Sequence, residues 1–407
     1  MIKPLRGMRD LAFEDAKKFE YFIDTATNIA KKYGYEYLET PILEESALFK
    51  RSVGESSDIV NKEMYQFIDK GGNDVCLRPE GTAGVVRFFI SNKLDRQDGK
   101  YKFLYYGPMF RYERPQKGRF REFHQFGCES FGEESVYEDY TIIELISKIF
   151  DELNIAYSLE INSLGCSECM PKYKEKLVEF LEDIKDELCE DCQRRIKTNP
   201  IRVLDCKNQN CKTALSNAPK ITDNLCSSCH SDFEKLKELL ENSGIEFSVN
   251  KNLVRGLDYY NKSAFEFISS NLGAQNAIAG GGRYDKLVEF LGGKPTAAVG
   301  FAIGVERVLE LLELPEQKRE GYYFGAMSKE GVDKVVKVAK DIRKDNRAFV
   351  EFEPKKLKAH LKSADRQNSR YCCIVGEDEL KNDTIWVKDL EEKREFIVSS
   401  DEFVKNI

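Results

Sequence analysis

The chain has no long apolar run, no internal repeat, no low-complexity stretch and no surplus of positive charge. Without about 20 consecutive apolar residues, no helix spans a bilayer. The opening residues, MIKPLRGMRD, are basic with no apolar region behind them, so no secretory signal is visible. A net charge of -7 excludes an indiscriminate nucleic-acid binder, but not a selective one with a local basic patch. These absences predict a cytoplasmic protein with no membrane association. In that compartment the 12 cysteines are thiols or metal ligands rather than disulfides.

What is present is enough for several cores. A chain of 407 residues, 41% hydrophobic and 33% charged, suits two or three globular domains. Phe19, Phe22, Ile23, Ala26, Ala30 and Tyr33 recur at helical spacing, predicting a helix over residues 14–33 with Gly34 as its C-cap. YEYLETP follows as a short strand stopped by Pro41. Eight cysteines fall between Cys166 and Cys229, in CSEC, CEDC, CKNQNC and CSSC, and mark a segment with its own organisation. A charged seam, ELPEQKREG, lies at residues 313–321. Beyond it YYFGAM, RAFVEFE, YCCIVG and TIWVKD alternate with two helical stretches, an α/β pattern. The second stretch, PKKLKAHLKSADRQNSR, sets Lys355, Lys356, Lys358, Lys362, Arg366 and Arg370 against one acid, Asp365. A solvated helix face and an RNA-facing patch both fit it.

Two stretches carry chemistry. Residues 101–132 read as a strand (YKFLYYGPMFRYE), a basic loop (RPQKGR) and a returning strand (FREFHQFGCESFG). Period-two alternation puts Arg111 and Glu113 on one face, and Arg121, Phe123, Gln125 and Glu129 on one face of the return. A solvated face would carry such charges. So would a sheet with a nucleotide laid across it, Arg111 on a phosphate and Phe123 stacked on the base. LVRGLDYYNKSAFEF, residues 253–267, sets Arg255 beside Tyr259 and Tyr260. Either a turn flanked by core tyrosines or the lining of a pocket for a small planar polar molecule fits.

The motifs together resemble a known family. FRYERPQKGRFREFHQFGCE resembles motif 2 of the class II aminoacyl-tRNA synthetases, in the form seen in bacterial histidyl-tRNA synthetases. YGYEYLETP is similar to motif 1, and GFAIGVER, residues 300–307, to motif 3. RPEGT, residues 78–82, is similar to the amino-acid-binding turn, and RGLDYY and GGGRYD to the two histidine motifs. Six matches stand in the family's order along nearly the whole chain.

The resemblance implies an α+β catalytic domain built on an antiparallel sheet, residues 1–320. A helical cysteine-rich insertion interrupts it at residues 166–240, and a C-terminal α/β anticodon-binding domain follows at residues 321–407. It implies attachment of histidine to tRNA(His) through histidyl-adenylate, with ATP and Mg2+, by a homodimer. Arg255, Arg111 and Arg307 are then the catalytic residues. Glu80, Gly81, Thr82, Arg111, Gln125, Glu129, Arg255, Tyr259 and Tyr260 bind histidine. Arg111, Glu113, Arg119, Phe123 and Arg307 bind ATP. Gly280, Gly281 and Gly282 let the backbone approach the adenylate. A synthetase-like histidine-binding regulatory subunit of ATP phosphoribosyltransferase is the rival, although it usually lacks an anticodon domain. A zinc-type nucleic-acid-binding module explains the cysteines alone.

For those cysteines the spacing of Cys166-x2-Cys169, 19 residues, then Cys189-x2-Cys192 fits a four-thiolate structural Zn2+ site. Cys206-x4-Cys211, 14 residues, then Cys226-x2-Cys229 is a looser second set. Free thiols are the alternative.

Overall fold

The computed structural model describes residues 2–405 except Glu55, Ser56, Asp58, Lys117, Asp205, Lys207, Gly256, Leu257, Asp258, Gly273, Ala274, Gln275 and Gln317. The middle of the RGLDYY motif therefore lies outside the described residues. The chain forms two compact units, Met1–Glu313 and Leu314–Ile407. No helix among the described residues is long and apolar enough to cross a membrane.

Eleven strands build the first unit: β1 (Glu36–Tyr37), β2 (Leu43–Glu45), β3 (Gln66–Ile68), β4 (Asp74–Leu77), β5 (Tyr101–Phe110), β6 (Glu122–Phe131), β7 (Ser158–Ser163), β8 (Phe247–Val249), β9 (Asn261–Ile268), β10 (Ala277–Arg283) and β11 (Ala298–Gly304). Eight form one sheet in the order β1-β5-β6-β11-β10-β9-β7-β8. Its central pairings, β5 through β7, are antiparallel, and the outer strands β1 and β8 pair parallel. The other three strands make a small antiparallel sheet, β2-β4-β3.

Alternation gives the large sheet two different faces. Phe126 and Cys128 of β6 and Phe265 and Phe267 of β9 join the main core. Against them pack the helices Phe13–Lys32, Val136–Glu152 and Ser227–Asn242, through Phe22, Ile146 and Leu236. The N-terminal helix thus matches its apolar spacing. The opposite face carries Gln125 and Glu129 with Tyr105, Phe131 and Tyr284.

The structure corrects several details of the sequence analysis. The hairpin strands end at Phe110 and begin again at Glu122, so Arg111, Glu113 and Arg121 sit in the connecting loop. Arg121 stacks on Tyr112 at 3.7 Å and donates to Glu113 O, away from the face it was expected to share.

The insertion has its own core, including Tyr173, Leu177, Leu181, Ile196, Val203 and Leu215, with the cysteines among them. Phe233, Leu236 and Leu240 of the next helix belong to the main core instead, so the separate core stops near Cys229.

The second unit is a five-stranded sheet ordered β13-β12-β14-β15-β16: β12 (Tyr322–Ala326), β13 (Ala348–Val350), β14 (Tyr371–Val375), β15 (Thr384–Asp389) and β16 (Glu395–Ser399). The sequence analysis missed β16, whose exposed edge residues Phe396 and Ile397 lack a buried partner face. The short helix Ser400–Lys405 closes the described chain.

One buried ion pair fixes β10 to the helix Val136–Glu152. Arg283 and Asp139 are each 1% exposed, and Arg283 Nε donates to both Asp139 oxygens at 3.1 and 3.2 Å. Its other nitrogens donate to Glu133 O at 2.8 Å and Ser135 O at 3.1 Å. Removing the carboxylate takes away the nearest anion of a buried guanidinium and leaves it only Asp285, 3.3 Å from Nη1, as a charged partner. We predict that Asp139→Ala lowers the stability of this unit in urea unfolding by about 3–5 kcal/mol. A loss under about 1 kcal/mol, the range of an exposed pair, would contradict it.

Candidate active site

The polar face of β6, β11, β10 and β9 floors a cleft of about 250 Å³. Arg111, Glu113 and Arg119 reach it from the β5–β6 loop, and Phe123 and Gln125 from β6. Arg307 comes from the helix Val305–Leu309, directly after β11. Arg255, Tyr259 and Tyr260 come from the segment before β9, and Glu80 and Thr82 from the start of the helix Thr82–Ser91. The structure thus brings all but two of the candidate histidine and ATP residues to one wall. Glu129 and Gly81 lie outside the lining.

Glu129 is fully buried just behind it. Its Oε1 accepts from Thr82 Oγ1 at 2.6 Å and Tyr105 Oη at 3.2 Å, and its Oε2 from Tyr284 Oη. Burial drives its pKa up to about 8, against the hydrogen bonds from Thr82 and Tyr284 that favour the charged form. Gly81 is small because of this network: a Cβ there would lie 2.1 Å from the Tyr105 ring.

Glu80 is held differently. Its two oxygens accept from Thr82 N at 2.7 Å and Ala83 N at 2.9 Å, capping the helix start. Burial raises its pKa, while those two amides and Arg111 work to lower it.

The arginines divide into two kinds. Arg111 donates through Nε to Pro79 O at 2.8 Å, and its guanidinium stands 5.2 Å from the Phe123 ring centre. Arg119 is ion-paired with Glu113. Arg307 donates to Ala277 O at 2.5 Å. Burial pulls the pKa of all three below the usual arginine value, and for Arg307 the charges of Arg119 and Arg111 pull it further. Arginine keeps its proton regardless, so these cations line the cleft as fixed charges beside the carboxyl groups of Glu80, Glu113, Glu266 and Glu306.

Arg255 is the contrast. Burial works against its charge, yet Tyr260 and Glu266 outweigh it and raise its pKa. Its Nη1 donates to Glu266 Oε1 at 2.8 Å, and its guanidinium lies over Gly280, where a Cβ would meet it at 2.4 Å. Gly280 therefore makes room for Arg255, whereas the sequence analysis had it making room for a ligand.

Four polar atoms along the cleft are buried without a hydrogen-bond partner among the described residues: Glu113 Oε2, which is ion-paired with Arg119, and Gln125 Oε1, Arg255 Nε and Tyr259 Oη. Buried polar atoms are nearly always satisfied, so orphans gathered in one cleft mark the contact points of a polar ligand.

Sequence reasoning missed four contributors. Tyr284 sits inside the quoted GGGRYD, and Glu266 between Phe265 and Phe267, where period two turns it away from the core. Glu306 grips β6, accepting from His124 N at 2.8 Å and contacting its Nδ1 at 2.8 Å. Tyr105 carried no signal beyond a strand tyrosine.

The cysteines fall into two groups of four, grouped differently from the sequence analysis. Cys166 and Cys169 meet Cys226 and Cys229, while Cys189 and Cys192 meet Cys206 and Cys211. The helices Cys169–Asp183 and Glu190–Thr198 carry the chain out and partly back, so motifs adjacent in sequence are not adjacent in space.

Known proteins share this architecture. A family model for histidyl-tRNA synthetase matches residues 7–308, and one for an anticodon-binding domain matches residues 323–407. The chain is 64% identical over 395 residues to the histidine–tRNA ligase of Sulfurovum sp. (strain NBC37-1), covering 97% of this chain and 98% of that one. The crystal structure of apo S. aureus histidyl-tRNA synthetase is similar at a TM-score of 0.84 and 33% identity, over 100% of this chain and 99% of that one. A Bacillus halodurans C protein described as an ATP phosphoribosyltransferase regulatory subunit/histidyl-tRNA synthetase matches at a TM-score of 0.66 and 20% identity, over 92% of this chain and 98% of that one. That last likeness is one of fold alone. With its antiparallel catalytic sheet, cysteine-rich insertion and anticodon-binding domain, the chain belongs to the histidyl-tRNA synthetase family.

Proposed function

We propose that the chain joins histidine to tRNA(His) in two steps. The histidine carboxylate attacks the α-phosphorus of ATP, and the bond to pyrophosphate breaks. A 3′-terminal hydroxyl of the tRNA then attacks the histidyl carbonyl and releases AMP. The observation that carries this reading is the meeting of half-buried Arg111, Arg119, Arg255 and Arg307 with buried, orphaned polar atoms in one cleft.

Each part has a task the geometry suits. Arg111 holds the α-phosphate and the histidine carboxylate, and Arg119 and Arg307 hold the outer phosphates. Fixed cations in a water-poor site stabilise the charge that develops as pyrophosphate leaves. Phe123 stacks on the adenine, flanked by Glu113. ATP enters as its Mg2+ complex, and carboxylate oxygens such as those of Glu113 suit that ion.

The amino group rests among Glu80, Thr82 and Gln125. A neutral imidazole offers one donor and one acceptor nitrogen. Its N–H goes to Glu129, displacing one of the hydroxyls now bonded there, and its other nitrogen meets Tyr260 with Tyr259 beside it. A site of paired buried contacts rejects analogues lacking them by about 10⁴-fold.

The C-terminal unit faces RNA with the exposed Lys356, Lys358, Lys362 and Arg366; Lys355 and Arg370 are instead paired with carboxylates. The protein works as a homodimer, supported by exposed Leu43, Phe67 and Ile68 on the small sheet. The insertion thiolates hold structural zinc, outside the reaction. The regulatory-subunit reading is not favoured, given Arg111, Arg255, Arg307, the second unit and relatives named as ligases.

Histidine-dependent exchange of labelled pyrophosphate into ATP tests the first step; a chain that binds histidine without exchange is a regulator. We predict that Arg255→Ala abolishes most exchange while histidine affinity weakens much less, because its charge acts chiefly in the transition state. Near-normal exchange would remove Arg255 from that role. A chain ending near Pro315 should keep exchange yet charge tRNA poorly; unchanged charging would sink the RNA-binding role of the second unit.

The Glu129 carboxyl gives a pH test. Between pH 4.5 and about 8 the folded chain keeps a proton there that the unfolded chain releases, so stability falls as pH rises across that window. Glu129→Gln should flatten that part of the slope, read from urea unfolding at several pH values. An unaltered slope would show the carboxyl to be ionised throughout.

A further inference from the structure

The eight thiols of the insertion gather into two groups of four, in different places. The first stands at its neck. Cys166 follows the end of β7 at Ser163, and Cys226 immediately precedes the helix Ser227–Asn242 that returns to the main core. The neck is bonded to the catalytic sheet: Leu164 N donates to Lys262 O at 2.6 Å, and Lys262 N to Gly165 O at 2.8 Å. Gly165 has φ +67°, and a Cβ on it would stand 2.6 Å from Cys169 Cβ, so this turn needs glycine. The second group, Cys189, Cys192, Cys206 and Cys211, lies in the distal lobe, within the chain between the two halves of the first.

The geometry is that of a single bound ion. In each group all four sulfurs lie within 4.8 Å of one another. Cys166 Sγ is 3.7 Å from Cys169 Sγ and 3.8 Å from Cys226 Sγ, and Cys189 Sγ is 3.8 Å from Cys206 Sγ. Zinc–thiolate bonds of about 2.3 Å set the edge of their tetrahedron at about 3.8 Å. A disulfide needs about 2.05 Å, and the described cysteines are free.

Backbone amides are already aimed at the sulfurs. Cys226 N donates to Cys169 Sγ at 3.0 Å, Glu168 N to Cys166 Sγ at 3.4 Å, and Cys189 N to Cys211 Sγ at 3.2 Å. Such bonds stabilise thiolate charge, and each group of four receives at least one. Three of the cysteines stand at helix starts, Cys169, Cys189 and Cys226, where the dipole favours a thiolate.

We propose that the insertion binds two zinc ions in nested four-thiolate sites, Cys166/Cys169/Cys226/Cys229 at the neck and Cys189/Cys192/Cys206/Cys211 in the distal lobe. This rests on the zinc reading above and adds the grouping and the task. The neck ion ties together the two places where the chain leaves and rejoins the catalytic unit. The distal ion closes a lobe whose core alone is small.

Zinc content of the full chain, purified without chelator, tests both layers through paired substitutions. The unaltered chain carries two equivalents. C166S/C226S removes two ligands of one site and keeps one equivalent, whereas C166S/C189S strikes both sites and keeps none. The reverse pattern, none kept by C166S/C226S and one by C166S/C189S, would overturn the nested grouping while leaving zinc in place. Metal well below one equivalent in the unaltered chain, with eight freely titrating thiols, would overturn zinc itself.

Should a variant fail to fold, anomalous scattering from crystals of the unaltered chain decides the same point. Two peaks at the zinc edge, one within each group, support the proposal. A peak joining Cys169 to Cys189 contradicts the grouping, and a signal at the iron edge alone contradicts zinc.

Discussion

Alternation along the central sheet is the constraint on which the site depends. In β6 the even-numbered Phe126 and Cys128 enter the core, so Phe123, Gln125 and Glu129 must face the other way. In β9 Phe265 and Phe267 do the same and turn Glu266 toward Arg255. A slip of one residue would turn Gln125, Glu129 and Glu266 into the apolar core and turn the core phenylalanines out of it. The apolar packing beneath the sheet therefore holds the catalytic groups in register without touching them.

That placement sets the electrostatics. Arg111, Arg119 and Arg307 reach the cleft from a loop and a short helix at the strand ends, where burial lowers the pKa of all three and neighbouring arginines lower those of Arg119 and Arg307 further. Arg255 has its own carboxylate and a glycine cut to its size. In the proposed reaction the first set meets the phosphates of ATP, while Arg255 is held in place by Glu266. Glu129, its pKa raised by burial, is surrounded by the hydroxyls of Thr82, Tyr105 and Tyr284, so it is not left bare in the interior.

Much of this was legible in the sequence. Apolar spacing gave the N-terminal helix, and the order of motifs identified the family. Residues whose side chain follows from a local pattern, such as Gln125 and Phe123, were found that way. What escaped was set by tertiary partners. Tyr105 and Tyr284 look like ordinary core tyrosines until they meet Glu129 from two different strands and loops. Gly280 serves a residue 25 positions away in sequence. The cysteine grouping was misassigned because spacing reports which pairs are local, and says nothing of which pairs meet after two helices intervene.

The central claim is that one cleft recognises histidine and activates it for transfer to RNA. Aminoacylation of total tRNA by the purified chain, with each amino acid offered in turn, tests it most directly. The account predicts that histidine alone becomes attached, and only when ATP is present. Attachment of a different amino acid, or none with any of them, would contradict it.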